Sequence, residues 1–161
     1  MTEWHEIFEL SEQLGSRMQQ SDATVTTAES CTGGGVAFAL TAVAGSSAWF
    51  NHSVVTYSND VKHRTLGVSE FSLSQYGAVS EEVASEMATG VAIKANADYS
   101  IAVSGIAGPD GGSELKPVGT VCFAWSLEGR VETETAVFDG DRHSVRMQSI
   151  EYALKGLLQR I

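Results

Sequence analysis

Ser30, Tyr57 and Lys62 are residues whose types and surroundings suit acyl chemistry. Ser30 lies in "TAESCTGGG" at 27–35, where a β-branched run gives way to glycines and then to an apolar helical pattern. A serine hydroxyl becomes a nucleophile beside a base. Lys62 is a candidate base, closing "TYSNDVK" five residues after Tyr57. With an ordinary pKa of about 10.4, well under ~1% of a lysine is neutral at pH 7, so burial or a neighbouring cation must lower that value by a few units. The Tyr57 phenol would then relay the proton or orient the ammonium. Each assignment has a plainer competitor: Ser30 as the cap of the following helix, Lys62 as a solvated side chain on a short helix.

Cys31 is a rival nucleophile, because a helix N-terminus lowers a thiol pKa. Adjacent residues leaving a strand point apart, so one of Ser30 and Cys31 faces the cleft; the bland reading of Cys31 is a buried, inert thiol. His5, His52, His63 and His143 are the histidines that could serve as base; His5 reads as surface-bound in the first helix and His52 begins a strand, and neither of these two has a motif around it. The serine is not in a Gly-x-Ser-x-Gly elbow, and the glycines lack the Gly-Lys-Ser/Thr ending of a Walker A loop. Two cysteines far apart in sequence make neither a zinc site nor an expected disulfide, so no metal or cofactor is predicted.

Three further stretches could contact a ligand. Glycine costs about 0.5–1 kcal/mol relative to alanine inside a helix, so three in the presumed first turn serve another purpose. That purpose is either close packing on a neighbouring element, or approach to a ligand by the backbone of Cys31, Thr32, Gly33 and Gly34 with helix N-terminal N–H groups aimed at negative charge. The loop "SGIAGPDGGSELKP" at 104–117 contributes Ser104, Gly105, Asp110 and Lys116, and is too long and glycine-rich for a plain connection. In "DGDRHSVR", Arg142 and His143 follow Asp141, a predicted N-cap; cations there oppose the helix dipole, which makes sense if an anion docks, although a surface Arg–Asp pair reads equally well. Ser46 is a further candidate contact.

The elements that must position these residues follow from periodicity. Ile7, Leu10, Leu14 and Met18 share one helical face near the start, and Ile150, Ala153, Leu154, Leu157 and Leu158 share one at the end. Between them, "ATVTTAES" reads as a strand, "TGGGVAFALTAVAG" as a helix ending at Gly45, and "WFNHSVVTYS" as a second strand. "SEEVASEMATGVAIKANA" is an amphipathic helix capped by Ser80, "DYSIAVSG" a strand, and "VGTVCFAWSL" with "RVETETAVF" a hairpin turning at Glu128-Gly129. Alternating strands and helices predict an α/β fold with a mixed, mostly parallel sheet between helical layers. Ligands of such sheets sit beyond the carboxyl ends of parallel strands.

The 161 residues, 43% hydrophobic and 19% charged, fit one soluble domain over 1–161. The acidic, helical N-terminus is unlike a secretion signal, and no apolar run reaches the roughly 20 residues of a membrane span, so a cytoplasmic setting is expected. A net charge of −10 disfavours nucleic acid and anionic membranes as partners. An anionic ligand must be held by a few local donors.

Together, "TAESCTGG", "AGSSAWF", "TYSNDVK", "GAVSEEVASEMA", "SGIAGPDGGSELKPVGTV" and "DGDRHSVR" resemble the CinA C-terminal domain family, from about Thr24 to the last helix. The resemblance implies a three-layer α/β/α sandwich and hydrolysis of the carboxamide of nicotinamide mononucleotide (NMN), without cofactor, in pyridine-nucleotide recycling. It implies Ser30 as nucleophile, Lys62 as base and Tyr57 as the third member. Not every domain of this family is an active deamidase, so a nucleotide-binding module is the alternative; a homo-oligomer, with a dimer favoured, is the expected assembly.

Overall fold

The computed structural model describes residues 3–161. Its elements are α1 (Trp4–Ser21), β1 (Val25–Glu29), α2 (Gly35–Thr41), a 3-10 turn (Ser46–Ala48), β2 (Ser53–Val55), α3 (Asn59–Leu66), α4 (Glu70–Tyr76), α5 (Glu81–Ala95), β3 (Tyr99–Gly105), β4 (Thr120–Leu127), β5 (Arg130–Val137) and α6 (Arg142–Leu158). The strands form one sheet in the order β2-β1-β3-β4-β5. β1 is parallel to both β2 and β3, whereas β4 is antiparallel to both β3 and β5. Four strands therefore run one way and only β4 opposes them, although neighbouring pairs divide evenly between the two kinds.

Period-two alternation along the central strands feeds a core on each face. Ile101, Val103, Phe123 and Trp125 point to the layer of α1, α2 and α6. Ala102, Cys122 and Ala124 point to the layer where Val83, Met87 and Val91 of α5 pack with Leu66 of α3. β4 is buried along its whole length, which explains its nearly unbroken apolar sequence. This is the three-layer arrangement expected.

Some boundaries differ from the expectation. α2 ends at Thr41 rather than Gly45, and β2 has three residues, because Trp49 leaves the edge and buries its ring in the α1 core after the 3-10 turn. α4, unanticipated, is a short helix capped by Ser69, whose hydroxyl accepts from the Ser72 N–H at 3.0 Å. The cap of α5 is Ser80 as read, accepting from the Val83 N–H at 3.2 Å.

Packing of α6 on the sheet depends on one small residue. A Cβ on Gly156 would stand 2.0 Å from the Trp125 ring, which is held in place by an N–H donated to the Ala153 carbonyl at 2.9 Å. Gly156→Ala is expected to destabilise the protein by about 1–3 kcal/mol through overpacking, a drop of about 3–10 °C in Tm. An unchanged thermal melt would show that the ring can move aside.

Candidate active site

β1, β2 and β3 end side by side, and the residues that follow them converge. The ladder continues past the strands, with the Thr56 N–H donating to the Glu29 carbonyl and the Ser30 N–H to the Val103 carbonyl, both at 2.9 Å. Ser30 after β1, Tyr57 after β2 and Ser104 within β3 therefore border one cavity of about 280 Å³, together with Lys62, Asp110 and Arg142. Its position is the one that strand direction predicts.

Lys62 reaches this cavity from α3. The Ser58 hydroxyl caps that helix, accepting from the Val61 N–H at 3.2 Å, and so places Lys62 in the first turns, directed back at the strand ends. Its side chain is fully buried, with the residue only 1% exposed. Nζ donates to Ser30 Oγ at 3.1 Å and to the Tyr57 carbonyl at 3.0 Å. Among the described residues no carboxylate forms an ion pair with it. Burial holds its pKa below the ordinary lysine value.

Tyr57 contributes differently from the expectation. The residue is 61% exposed and its Oη accepts from Arg142 Nη2 at 3.1 Å, while the main-chain carbonyl meets Lys62 and accepts from Ser30 Oγ at 3.5 Å. The contact with the lysine is thus one that any residue at position 57 would offer. Arg142 also donates to the Gly108 carbonyl at 2.7 Å and pairs with no carboxylate among the described residues, so the Arg–Asp reading fails. Asp141 is instead the cap of α6, accepting from the Ser144 N–H at 2.8 Å.

The glycine turn is resolved by a residue the sequence reading passed over. Fully buried Glu29 accepts from the N–H groups of Val36 and Ala37 at 2.9 and 3.0 Å and from the Thr32 hydroxyl at 2.6 Å. The first-turn N–H groups of Val36 and Ala37 are consequently occupied and not free for an anion, as is the Gly33 N–H, which donates to the Ser30 carbonyl at 3.0 Å. Gly33 and Gly34 precede the helix at φ 59° and 98°, conformations disfavoured for other residues, and a Cβ on Gly35 would lie 2.4 Å from Ile150 Cδ1. Turn geometry and packing on α6 account for the three glycines. Ser30 is no cap either, since α2 starts five residues later.

Cys31 borders the cavity, but burial, reinforced by the charge of Glu29, pushes its thiol up to about 12. A thiol that holds its proton is a poor nucleophile. Ser104 and Gly105 line the cavity, with the Ser104 hydroxyl donating to the Ala78 carbonyl at 2.8 Å. Thr32, Gly33 and Gly34 instead border a separate cleft of about 270 Å³ beside Trp4, Phe38 and Arg146. Ser46 lies at the far end of β1, in the turn whose Trp49 carbonyl accepts from the Val25 N–H, and is not a site residue.

The family model of the CinA C-terminal domain matches residues 7–161. This chain belongs to the CinA C-terminal domain family. Nicotinamide-nucleotide amidohydrolase PncC of Escherichia coli (strain K12) is 55% identical over 156 residues, which cover 96% of this chain and 94% of the relative. The PncC of Pseudomonas putida is 55% identical over 150 residues, covering 93% and 94% respectively. A crystal structure of a CinA superfamily protein from Escherichia coli superposes with a TM-score of 0.94 at 42% identity, covering 96% of this chain and 90% of that one. The competence or damage-inducible protein from Enterobacter asburiae gives 0.93 at 40%, covering 96% and 97%.

Besides Glu29, the sequence reading of this CinA domain missed Arg146, whose Nε and Nη2 donate to the carbonyls of Cys31 and Thr32 at 3.1 and 3.3 Å. Its spacing of four from Arg142 was the available signal, since it puts both guanidinium groups on one helical face. Arg146 pins the turn after Ser30 from α6.

A buried ammonium without a counter-charge is a burden on the fold. Lys62→Met, similar in volume and apolar, is therefore expected to melt no lower than the parent protein at neutral pH. Because the folded pKa lies below the unfolded one, the unfolded chain alone holds the proton between the two values, and parental stability rises with pH across that window. The advantage of Lys62→Met should accordingly shrink in alkaline melts; a gap independent of pH would show that the lysine is not desolvated.

Proposed function

We propose that this chain hydrolyses the carboxamide of NMN, giving nicotinate mononucleotide and ammonia, by attack of Ser30 with Lys62 as base. The observation that carries this reading is the 3.1 Å contact between Ser30 Oγ and a buried lysine whose pKa is lowered. The name shared by the amidohydrolase relatives supplies the substrate class.

In the neutral amine, one N–H donates to the Tyr57 carbonyl, which leaves the lone pair to accept the Ser30 proton. Ser30 Oγ then adds to the carboxamide carbon. The Cys31 N–H, next to the nucleophile, takes the developing oxyanion, since the Gly33 N–H is spent on the Ser30 carbonyl. Protonated Lys62 returns the proton to the departing ammonia. Water, activated by the same amine, hydrolyses the resulting ester. Every proton transfer is thus assigned to a protein group or water, and no step requires a metal or cofactor.

Ligand pockets usually measure about 300–1,000 Å³, so this cavity suits the pyridine carboxamide, with the ribose phosphate at its mouth beside Arg142. A reducing cytoplasmic setting accords with two free, buried thiols, one in each core. Among the described residues no helix is long and apolar enough to cross a membrane.

Ammonia release from NMN tests the reaction. The parent protein should turn over, while Ser30→Ala and Lys62→Arg should each lose on the order of 10³-fold or more in kcat. Nucleotide binding without ammonia release would make the chain a binding module instead. The rate should climb as pH rises through the lowered Lys62 pKa, because the amine below it is protonated. Tyr57→Phe keeps the carbonyl and loses only the Arg142 contact, so kcat should stay within about threefold while KM rises; a collapse of kcat would restore the phenol as proton relay.

A further inference from the structure

Six ionisable side chains could influence a ligand in the Ser30 cavity: Cys31, Tyr57, Lys62, Asp110 and Arg142 on its walls, and Glu29 behind them. Glu29 is saturated by helix N–H groups and a hydroxyl. Asp110 is the only carboxylate bordering the cavity, and it has no hydrogen bond or ion pair among the described residues. Two acids in other parts of the fold are engaged instead: Glu81 accepts from the Thr133 and Thr135 hydroxyls, and Asp98 from Thr24. A free carboxylate beside a site that must hold a phosphate is unfavourable for that phosphate, unless another part of the ligand is cationic.

The backbone carrying Asp110 is anchored at its base. Ile106 and Thr120 are joined by an N–H to carbonyl bond of 2.8 Å, the Gly119 N–H donates to the Ile106 carbonyl at 2.8 Å, and Arg142 holds the Gly108 carbonyl. Opposite charges are thereby carried by adjacent parts of one rim, with Arg142 bound two residues before Asp110 in the loop.

We infer that Asp110 is a specificity residue that recognises the positive charge of an N-substituted pyridinium ring, selecting quaternised nicotinamides over uncharged carboxamides. The inference rests on the nucleotide amidase reading above. In that substrate the ring nitrogen is cationic and the phosphate anionic, so a carboxylate and a guanidinium on one rim match both ends. The exposed Tyr57 ring offers the same cation an aromatic face.

The test compares NMN with its reduced dihydropyridine form, which has the same ribose phosphate and amide but an uncharged ring. Binding is measured by calorimetry in the Ser30→Ala background, with and without Asp110→Asn, an isosteric change at an exposed loop position. Asp110→Asn should weaken NMN about tenfold, or 1.4 kcal/mol, and the reduced form less than twofold, with the difference shrinking at high salt. Equal losses for both ligands, or none, would overturn the role of Asp110. Ammonia release by the parent protein, measured alongside, separates the two ideas: turnover with unchanged discrimination sinks only this inference, and absence of turnover sinks the amidase reading beneath it.

Discussion

Lys62 is a buried lysine with oxygen partners but no counter-ion, and much of the surrounding structure consists of what is needed to keep it so. Taking such a group from water costs several kcal/mol unless it sheds its proton. Its partners, Ser30 Oγ and the Tyr57 carbonyl, are neutral oxygens that can accept from either form of the amine. A carboxylate in their place would favour the charged form of the lysine. The arrangement requires β1 and β2 to be parallel and in register, Glu29 opposite Val55, so that the chain leaves both strands at one level. It also requires α3 to begin at Asn59, directly after its Ser58 cap, because a later start would carry Lys62 away from the strand ends.

Around that centre, charge is sorted by position. The chain carries a formal −10, yet Arg142 and Arg146, both from the start of α6, turn toward the strand ends without a carboxylate partner among the described residues. Most of the other arginines are committed to acids, as in the pairs of Arg64 with Asp60 and Arg160 with Glu134. Two guanidinium groups gathered at the strand ends, set in an acidic surface, make that end of the sheet less repulsive to an anion than the rest of the protein.

The fold and the meeting of Ser30 with Lys62 were legible because they follow from local patterns. Alternation in "SIAVSG" and "VCFAWSL", helical spacing at both ends, and caps at Ser80 and Asp141 fix the layers. Ser30 and Lys62 could be paired in sequence by residue type and by the strand ends they follow. What stayed hidden depends on side-chain direction. The sequence does not say that the Tyr57 phenol turns to Arg142, that Glu29 reaches forward seven residues to cap α2, or that Arg146 crosses to the carbonyls of Cys31 and Thr32. Ser46 was misplaced for a related reason: its turn follows α2 away from the site, and only the return of the chain to the start of β1 shows which end of the sheet it occupies.

Glu29 joins two of these threads. Its carboxylate accepts from the N-terminus of α2, so the helix adjoining Ser30 exerts little pull on an anion, and Arg142 is the guanidinium that borders the cavity. The same charge, two residues from Cys31, adds to burial in keeping that thiol protonated. In a turn that offers a serine and a cysteine in succession, a buried acid thereby disfavours the thiolate, while Lys62 contacts the Ser30 hydroxyl. Cys31 is thus kept a thiol by burial first and by the charge of the last residue of β1 second, whereas the neighbouring Ser30 hydroxyl meets a buried amine.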